Sequence, residues 1–599
     1  MRLRLRAKTA ALALGLAAAL PAVAADPTAD QFNAKVQGLA GKLAASGAGA
    51  DLGTGDLKAE IQGFLEKLSA TTNGIVQWDG SDSFDFRQDG AAVVGVITNA
   101  RFSIHEPQVS RIVFDRVEIR RDPVADGGGA VKLAMVFPQQ STLTLEDGTE
   151  TNFSLKDATA SAVVEEPSSR VRETALSFAG ARLEHKATGD WVGFGPLSFS
   201  SKLAGKADGS WATPIEFELK QIEFFLTEVP LGGAIDRIAY SASSAGPDLA
   251  ALNRLRDRVE ALRQQGEQTP AAKIDAVLDL LPSIPTLFSL LKGETIVEGV
   301  AVRAATGEPL VGLAKFGLSG ALTGLSGDSA ALRITLRQDG LTLAAAILDP
   351  SKVPHTVVID LGLESVATAP LRTIIEAAAK FREGASDGNS QQATQRMLGA
   401  AAMLTPVFRI YQLSLATQDV GIEATAEARG SPLSPKGYTA EGDIIVRGFD
   451  AVPNLVGDMP LADYLPLLKA LGTGGGSEVK FHLASAPQKW ITLNGSDISG
   501  WFASGDPAPG QPRDLRPAQP ALEGNDVRAV QKALAAAGMT APQNGVYDGG
   551  TAAAVVQFQK KNGLNADGVV NAATRQKLGV KPEPAQPGGT PKQPPGRKG

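Results

Sequence analysis

From Ile75 onward, apolar and polar residues alternate with the period of a strand. Ile112 and Phe114 alternate with polar neighbours, the phase slips at Asp115-Arg116, and the alternation resumes at Val117 and Ile119. Val131, Leu133, Met135 and Phe137 form the next stripe. Leu143 and Leu145 lead into Glu146-Asp147-Gly148-Thr149, a hairpin turn, and Phe153 and Leu155 return from it. Leu176 and Phe178 mark a further strand. Ile215, Phe217 and Leu219 alternate with Glu216, Glu218 and Lys220. After a second slip at Gln221, Ile222, Phe224 and Leu226 continue. Neighbouring residues of a strand point to opposite faces, so a slip of phase marks a bulge or bend. Residues 75–245 are expected to form a long-stranded, curved antiparallel sheet with one apolar and one polar face.

Helical periodicity interrupts the strands. Phe32, Val36, Leu39 and Leu43 share a face of Asp30–Ala45, and Leu57, Ile61, Phe64 and Leu68 share one of Asp56–Leu68. Residues 247–292 carry two further stripes, Leu252, Leu255, Val259 and Leu262, then Ile274, Val277, Leu278 and Leu281, until Pro282 and Pro285 break the run. Strands then return. Leu332, Ile334 and Leu336 lead to Gln338-Asp339-Gly340, read as a turn from which Leu341, Leu343, Ala345 and Ile347 come back, and Val357–Leu363 follows. Pro370–Phe381 and Gln391–Leu404 read as a helix pair. Strands follow at Leu413, Ile422–Ala428 and Ile444, then a last helix at Leu455–Leu471, a Gly-rich loop at Gly472–Ser477 and a closing segment at Val479–Leu493. Phe178–Phe199 and Val297–Leu318 both read as strand, Ala-Thr-Gly turn, strand, around Ala187 and Ala305. That echo divides residues 25–502, a large β-rich α+β region, into two related halves at about 75–290 and 294–500.

The last stretch has a different pattern. In Leu522–Leu578, Val527, Val530, Leu534 and Ala537 recur at helical spacing up to Gly538. A second helical run covers Ala552–Phe558, with Val555, Val556 and Phe558 apolar and Gln557, Gln559, Lys560 and Lys561 polar. A third covers Ala572–Leu578. Gly545-Val546-Tyr547-Asp548-Gly549-Gly550-Thr551 echoes as Gly568-Val569-Val570-Asn571-Ala572-Ala573-Thr574. Both copies read as a glycine turn feeding a helix N-terminus, where Thr and Asn or Asp satisfy free N–H groups. Pro507, Pro509, Pro512, Pro517 and Pro520 make residues 503–520 a semi-rigid linker to this small all-α three-helix domain of residues 521–579. Residues 580–599 read as a disordered tail.

Val527, Val530-Gln531, Gly545-Val546-Tyr547, Thr551, Ala554-Val555, Phe558-Gln559, Gly563-Leu564, Asp567-Gly568, Val570 and Thr574 follow in order. In that order they resemble the three-helix peptidoglycan-binding domain at the ends of many bacterial wall proteins. The chain departs from the pattern at Asn544, Asp548 and Asn571, all in turns. The resemblance covers about a tenth of the chain and implies peptidoglycan as a partner. Within it, Tyr547, Asp548, Gln557 and Asp567 are the exposed candidates for touching glycan or stem peptide, with Tyr547→Ala expected to leave the fold largely intact. Phe558, Leu564, Val555 and Leu578 are core. The larger region, residues 26–500, resembles uncharacterised exported β-rich proteins of alphaproteobacteria and, distantly, AsmA-like lipid-handling proteins. That resemblance implies a groove for acyl chains.

Composition narrows the compartment. Arg2, Arg4, Arg6 and Lys8 precede an apolar run, Ala10–Leu20, and a small-x-small site, Ala22-Val23-Ala24. Residues 1–24 therefore read as a cleaved secretory signal peptide. Its loss removes four of the 58 basic residues, leaving 54 against 64 acidic ones, a net charge of −10. An acidic surface argues against a nucleic-acid partner. There is no cysteine, hence no disulfide, thiol nucleophile or lipidated cysteine. The expected location is the periplasm, on peptidoglycan.

Catalytic signatures are sparse, and no cofactor or metal is expected. His105, His185, His355 and His482 lie outside ligand spacing of one another. Ser-x-x-Lys occurs at Ser289–Lys292, read as helical, and at Ser477–Lys480, without companion motifs. Asp79, Asp82 and Asp85 crowd the Trp78–Phe86 segment, read as a loop, and are candidates to hold calcium or flank a glycosidic bond. The first reading is a non-enzymatic, peptidoglycan-anchored protein whose β-rich domain binds a lipid or an envelope partner. Ile215, Phe217, Leu219, Ile222, Phe224 and Leu226 are its candidate groove. Alternatives are a wall hydrolase or amidase positioned by its targeting domain, and a spacer between wall and outer membrane.

Overall fold

Period-two alternation over successive stretches becomes one antiparallel meander. The structure is a computed structural model. It describes residues 76–502 and 512–581, except 105–109, 125–129, 146–149, 166–169, 228–229, 256–283, 384–388, 432–436, 458, 460–461, 486–490 and 519–520. The expected signal peptide, the helices at 30–45 and 56–68, the turn at 146–149, His105 and the tail beyond 581 lie outside the described residues. So does most of the 247–292 helical region, of which residues 249–255 are described and helical. Two units divide the chain: Asp349 and everything before it together with Val366–Leu404, and Pro350–Ser365 together with Thr405 onward.

In the first unit, strand runs begin at Val76, Ala92, Ser110, Ala130, Glu150, Arg170, Trp191, Trp211, Leu231, Leu290, Pro309 and Ser329. They recur about every 20 residues as far as Leu231. Each run pairs antiparallel with its neighbours in sequence. The strands that matter below are β1 (Ala92–Ile104), β2 (Ser110–Pro123), β3 (Trp211–Leu226), β4 (Leu231–Gly246), β5 (Leu290–Ala304), β6 (Pro309–Thr323), β7 (Ser329–Asp339) and β8 (Thr342–Leu343). β4 and β5 pair along their length although residues 247–289 separate them in sequence. The division into halves near residues 290–294 is therefore not a break in the fold. The two Ala-Thr-Gly segments are both hairpin reversals, closed by Gly189 N–H to His185 O at 3.0 Å and Gly307 N–H to Ala304 O at 2.8 Å.

A crease runs across this meander. Gln221 takes the left-handed backbone conformation, φ 53°, in the middle of β3. Its ladder to β4 continues unshifted, Lys220 opposite Arg237 and Ile222 opposite Ile235. The left-handed residue turns the strand while returning the apolar phase inward, so Leu219 and Ile222 are both buried. The slip at Asp115-Arg116 has its cause on the neighbouring strand. Asn99 of β1, φ 49°, faces that pair, between Thr98 opposite Arg116 and Ala100 opposite Phe114. Gly299 of β5 and Gly340, both at φ 68°, continue the line. Gly340 is consequently not a turn. β7 and β8 lie on either side of it and pair with the same partner, β6, in one register. The chain leaves the sheet only afterwards, and Ile347 is exposed.

The apolar face closes over the first runs. Trp78, Phe84, Ile97, Ala100, Phe114 and Val117 form one core, joined by Phe102, which meets Trp78 edge-on at 5.0 Å between centroids. Leu176, Leu197, Leu219 and Ile222 form the next. Asp79 and Asp85 sit on strands, not a loop: Val76–Gly80 and Ser83–Asp89 both pair with β1, and Asp82 lies in the two-residue bend between them.

The second unit holds β9 (Thr356–Ala367), β10 (Val407–Ala416), β11 (Gly421–Gly430), β12 (Tyr438–Arg447) and β13 (Glu478–Ala484), each antiparallel to the next. Helices α1 (Thr368–Glu383) and α2 (Asn389–Ala402) belong to the first unit and form the expected pair. The expected last helix is broken by its prolines, leaving α3 (Leu465–Leu471) as its second part.

The crease makes a specific demand at Gly299. A Cβ there would lie 2.0 Å from Asp236 Oδ2 and 2.7 Å from Asp236 Cβ, at a positive φ. Gly299→Ala should lower the melting temperature clearly more than Gly307→Ala, which meets the same backbone strain with open space around it. Equal shifts in a calorimetric melt would contradict the crowding argument.

Candidate functional site

The C-terminal segment forms α4 (Asn525–Ala536), α5 (Gly549–Lys561) and α6 (Ala572–Leu578). The sequence echo is a structural one. Gln531 Oε1 accepts from Gly545 N at 2.8 Å, while Nε2 reaches Asn544 Oδ1, Val546 O and Thr551 Oγ1 at 2.9–3.0 Å. Gln559 repeats this on the second copy. Its Oε1 accepts from Gly568 N at 2.9 Å, and Nε2 reaches Asp567 Oδ1, Val569 O and Thr574 Oγ1 at 2.9–3.1 Å. Asp548 and Asn571 cap α5 and α6 through Thr551 N at 2.7 Å and Thr574 N at 3.0 Å. Both glutamines are fully buried. Sequence reading placed Gln559 on the polar side of its helix; the repeated Gln–turn spacing was the available signal, because a buried amide survives only where every polar atom has a partner.

The expected ligand contacts divide sharply. Tyr547 is fully buried and donates its hydroxyl to Gly568 O at 2.6 Å, so its exposure is corrected. Tyr547→Ala would open a cavity in the core rather than probe a surface. Asp567 is also buried, 5% exposed, accepting from Val569 N and Gln559. Asp548 is a half-buried helix cap. Of the four, Gln557 alone points to solvent. Phe558 and Val555 are buried as expected, while Leu564 and Leu578 pack half-buried against the same core.

The domain does not hang on a linker. Leu467 and Leu471 of α3 share one core with Val527, Leu534, Tyr547, Val555 and Phe558. Both echo turns lie under this segment: a Cβ at Gly549 would strike Asp463 O at 1.7 Å, and one at Gly568 would meet Leu467 Cδ1 at 3.0 Å. Lys560 Nζ donates to Ala470 O at 2.6 Å, Trp501 Nε1 to Asp567 O at 2.8 Å, and Asn565 exchanges two hydrogen bonds with the Asp497 backbone. Residues 512–518 of the expected linker form a strap. Leu515 is fully buried and pairs with Val570, and Arg513 bonds Asp526 at 2.8 Å.

The candidate groove residues do share the apolar face of β3, but not as an open groove. Leu219 and Ile222 are core, Ile215, Phe217 and Leu226 are half-buried, and the Phe224 ring lies over Gly233, 2.4 Å from where a Cβ would be. The open part of that face lies farther along the meander. Register places Phe217, Tyr240, Thr295, Leu318 and Leu336 in one row. Tyr240, Leu318, Leu332 and Ile334 are 36–44% exposed.

The remaining chemical candidates are engaged in structure. Asp82 pairs with Arg101 at 2.6 Å and accepts from Asn99, which holds its carboxyl below the usual range. Ser289 lies at the start of a strand and donates to Ala245 O at 3.2 Å, not on a helix. Lys480 pairs with Glu478 at 3.0 Å. His482 meets Asp443 at 2.9 Å, His185 meets Thr188, and His355 meets Thr417 O at 3.2 Å. Among the described residues no cluster of three or more His, Cys, Asp or Glu has metal-holding geometry, and no helix is long and apolar enough to cross a membrane.

Two predictions follow from the C-terminal geometry. Burial holds the Asp567 carboxyl above its ordinary value of 3.8, despite hydrogen bonds from Val569, Gln559 and Asn565 that favour the charged form. An acid whose pKa is raised by folding stabilises the fold while protonated. That contribution is complete below 3.8 and is lost as pH rises through the raised value. Asp567→Asn, which copies Asn544 of the first turn, removes the loss. The melting temperature of the variant minus that of wild type should therefore grow from pH 4 to pH 7, and a flat difference would refute the sign. Leu467→Asp places a charge in the shared core. It should speed tryptic cleavage at Arg513 at least tenfold, where a freely tethered domain would show fast cleavage in wild type already.

No curated protein and no solved structure matches the chain. Residues 523–578 match the family model PG_binding_1, described as "Putative peptidoglycan binding domain". The match covers the two echo turns and all three helices but does not reach the β-rich region, so the chain carries a peptidoglycan-binding domain at its C-terminal end.

Proposed function

We propose that this is a non-enzymatic periplasmic protein, held on peptidoglycan by its C-terminal domain, whose β-rich region takes up a lipid acyl chain. The wall-binding half rests on the family match and on the intact double turn beneath it. The periplasmic location rests on the signal-peptide pattern of residues 1–24. A binding role is favoured over hydrolysis because Ser289, His185, His355, His482 and Asp82 are engaged in strand and turn contacts.

The acyl-chain half is carried by the uncovered end of the apolar face. Leu318 and Ile334, each 44% exposed, lie on the same apolar face, Leu318 in the register row of Phe217, which packs against the buried core around Leu219. An apolar patch continuous with a core is where apolar ligands gain most by leaving water. The opposite face of the same strands carries a ladder of paired charges from Glu218 to Lys315, which disfavours a long hydrocarbon chain there.

The full chain should pellet with purified sacculi, and Gln559→Leu, which strands the Gly568 N–H, should abolish pelleting. Leu318→Asp or Ile334→Asp should cut uptake of a fluorescent fatty acid several-fold while leaving the melting temperature nearly unchanged, because these positions are already wet. Unaltered uptake in both variants would remove the acyl-chain reading and leave the wall anchor as a spacer.

A further inference from the structure

The polar face of β3–β6 changes character at the crease. On one side its charges are paired in a cross-strand ladder. Lys220 meets Glu218 at 2.8 Å, Arg237 meets Glu218 at 2.7 Å and Glu298 at 3.1 Å, and Lys315 meets Glu298 at 3.0 Å. On the other side the face sinks into a hollow of about 870 Å³. Its floor is Ala234, Ala301, Gly312 and Ala314, which present no side chain large enough to fill it. Trp191 and Phe225, directly opposite each other across two strands, wall one side. Both rings lie flat. A Cβ at Gly193 would touch Trp191 at 3.3 Å, and one at Gly232 would touch Phe225 at 3.6 Å.

Three exposed charges rim this hollow: Glu223, Asp236 and Arg303. Among the described residues none has an ion-pair or hydrogen-bond partner, in contrast to the ladder beyond the crease. Register separates them by sign. Arg303 is opposite Gly232, Glu223 is opposite Ala234, and Asp236 lies four residues along β4 from Gly232. With strands about 4.8 Å apart and a rise of about 3.3 Å per residue, the Arg303 backbone is roughly 12–14 Å from those of the two acids. They therefore cannot neutralise one another at close range, and anionic and cationic ends face each other across an uncharged floor.

We propose that this hollow binds a short, extended, zwitterionic peptide, its ammonium at Glu223 and Asp236 and its carboxylate at Arg303. About three extended residues span that distance. A guanidinium offers paired donors to a carboxylate, and the Phe225 ring with the edge of Trp191, whose face carries the Arg182 guanidinium at 4.2 Å, takes small apolar side chains. Free peptides have this chemistry, as does a stem peptide released from its glycan, whose amino terminus is no longer acylated; choosing the stem peptide as the source rests on the proposed function.

The test is a calorimetric titration of the full chain with two probes, tri-alanine and a synthetic stem tetrapeptide containing a diamino acid. Saturable binding of either is expected, with at least tenfold weakening in Arg303→Met and in Asp236→Asn. N-acetylation of the tri-alanine amine should weaken it equally. These rim side chains are exposed, so an unchanged melting temperature certifies the variants. Tighter binding of the tetrapeptide supports the wall as source, and equal binding supports the site with free peptide as source. No saturable binding of either probe, or affinity indifferent to Arg303→Met, overturns the proposal. Gln559→Leu separates the two readings, since it should abolish sacculus pelleting yet leave tri-alanine titration unchanged.

Discussion

In the first unit the strand runs satisfy their backbones by pairing with the runs before and after them in sequence, and that ladder constrains everything else. A long antiparallel meander twists as it grows and has only two faces. Its strands of 13–16 residues, such as β1 and β3, must turn without losing their apolar phase. Left-handed residues at Asn99, Gln221, Gly299 and Gly340 meet that need with the register kept. The cores around Trp78 and Leu219 follow, because the crease brings apolar side chains from both ends of each strand onto one face. The charged ladder on the other face contributes little stability, since its members are 30–48% exposed. Its value is to keep that face soluble and in register.

The C-terminal domain is organised by a different constraint, the satisfaction of buried amides. Two glutamines each hold a glycine turn by its N–H and carbonyl groups, and the turns feed the caps of α5 and α6. An unpaired partner in so dry a site is costly, so the network specifies one geometry rather than adding much net stability. The same turns are where the α3 segment packs. Gly549 and Gly568 lack side chains where Asp463 and Leu467 approach, and wall domain and sheet edge in the second unit share one core. Wall binding through this domain is therefore mechanically continuous with β10–β13, not buffered by a flexible tether.

Much of this was legible beforehand. Alternation identified the strands, and the slips at Asp115 and Gln221 identified bends, since period-two patterning reports which side chains share a face. The three-helix domain was legible from its ordered motif. Less legible were features that depend on a partner strand. The slip at Asp115 is caused by Asn99 across the ladder. Gly340 read as a turn because Asp-Gly is a turn signal, while the pairing of Leu343 with Val311 keeps the strand running. Tyr547 looked like an exposed turn residue because aromatic residues next to glycines often are, and its hydroxyl finds Gly568 only once the two copies face each other.

By itself the amino-acid sequence determined the local periods, the two-faced character of the strands, the glycine turns with their helix caps, and the wall-binding signature of residues 522–578. These are properties of neighbours along the chain. Tertiary structure decided which part of a uniformly apolar face is closed and which is open. It sealed Leu219 and Ile222 while leaving Leu318 and Ile334 wet, because closure depends on how far the creased sheet has turned by each strand. It also decided that Leu515 docks and that charges on one side of the crease pair while Glu223, Asp236 and Arg303 do not. Whether two side chains meet depends on register and on the space between strands, and no stretch of sequence carries that information alone.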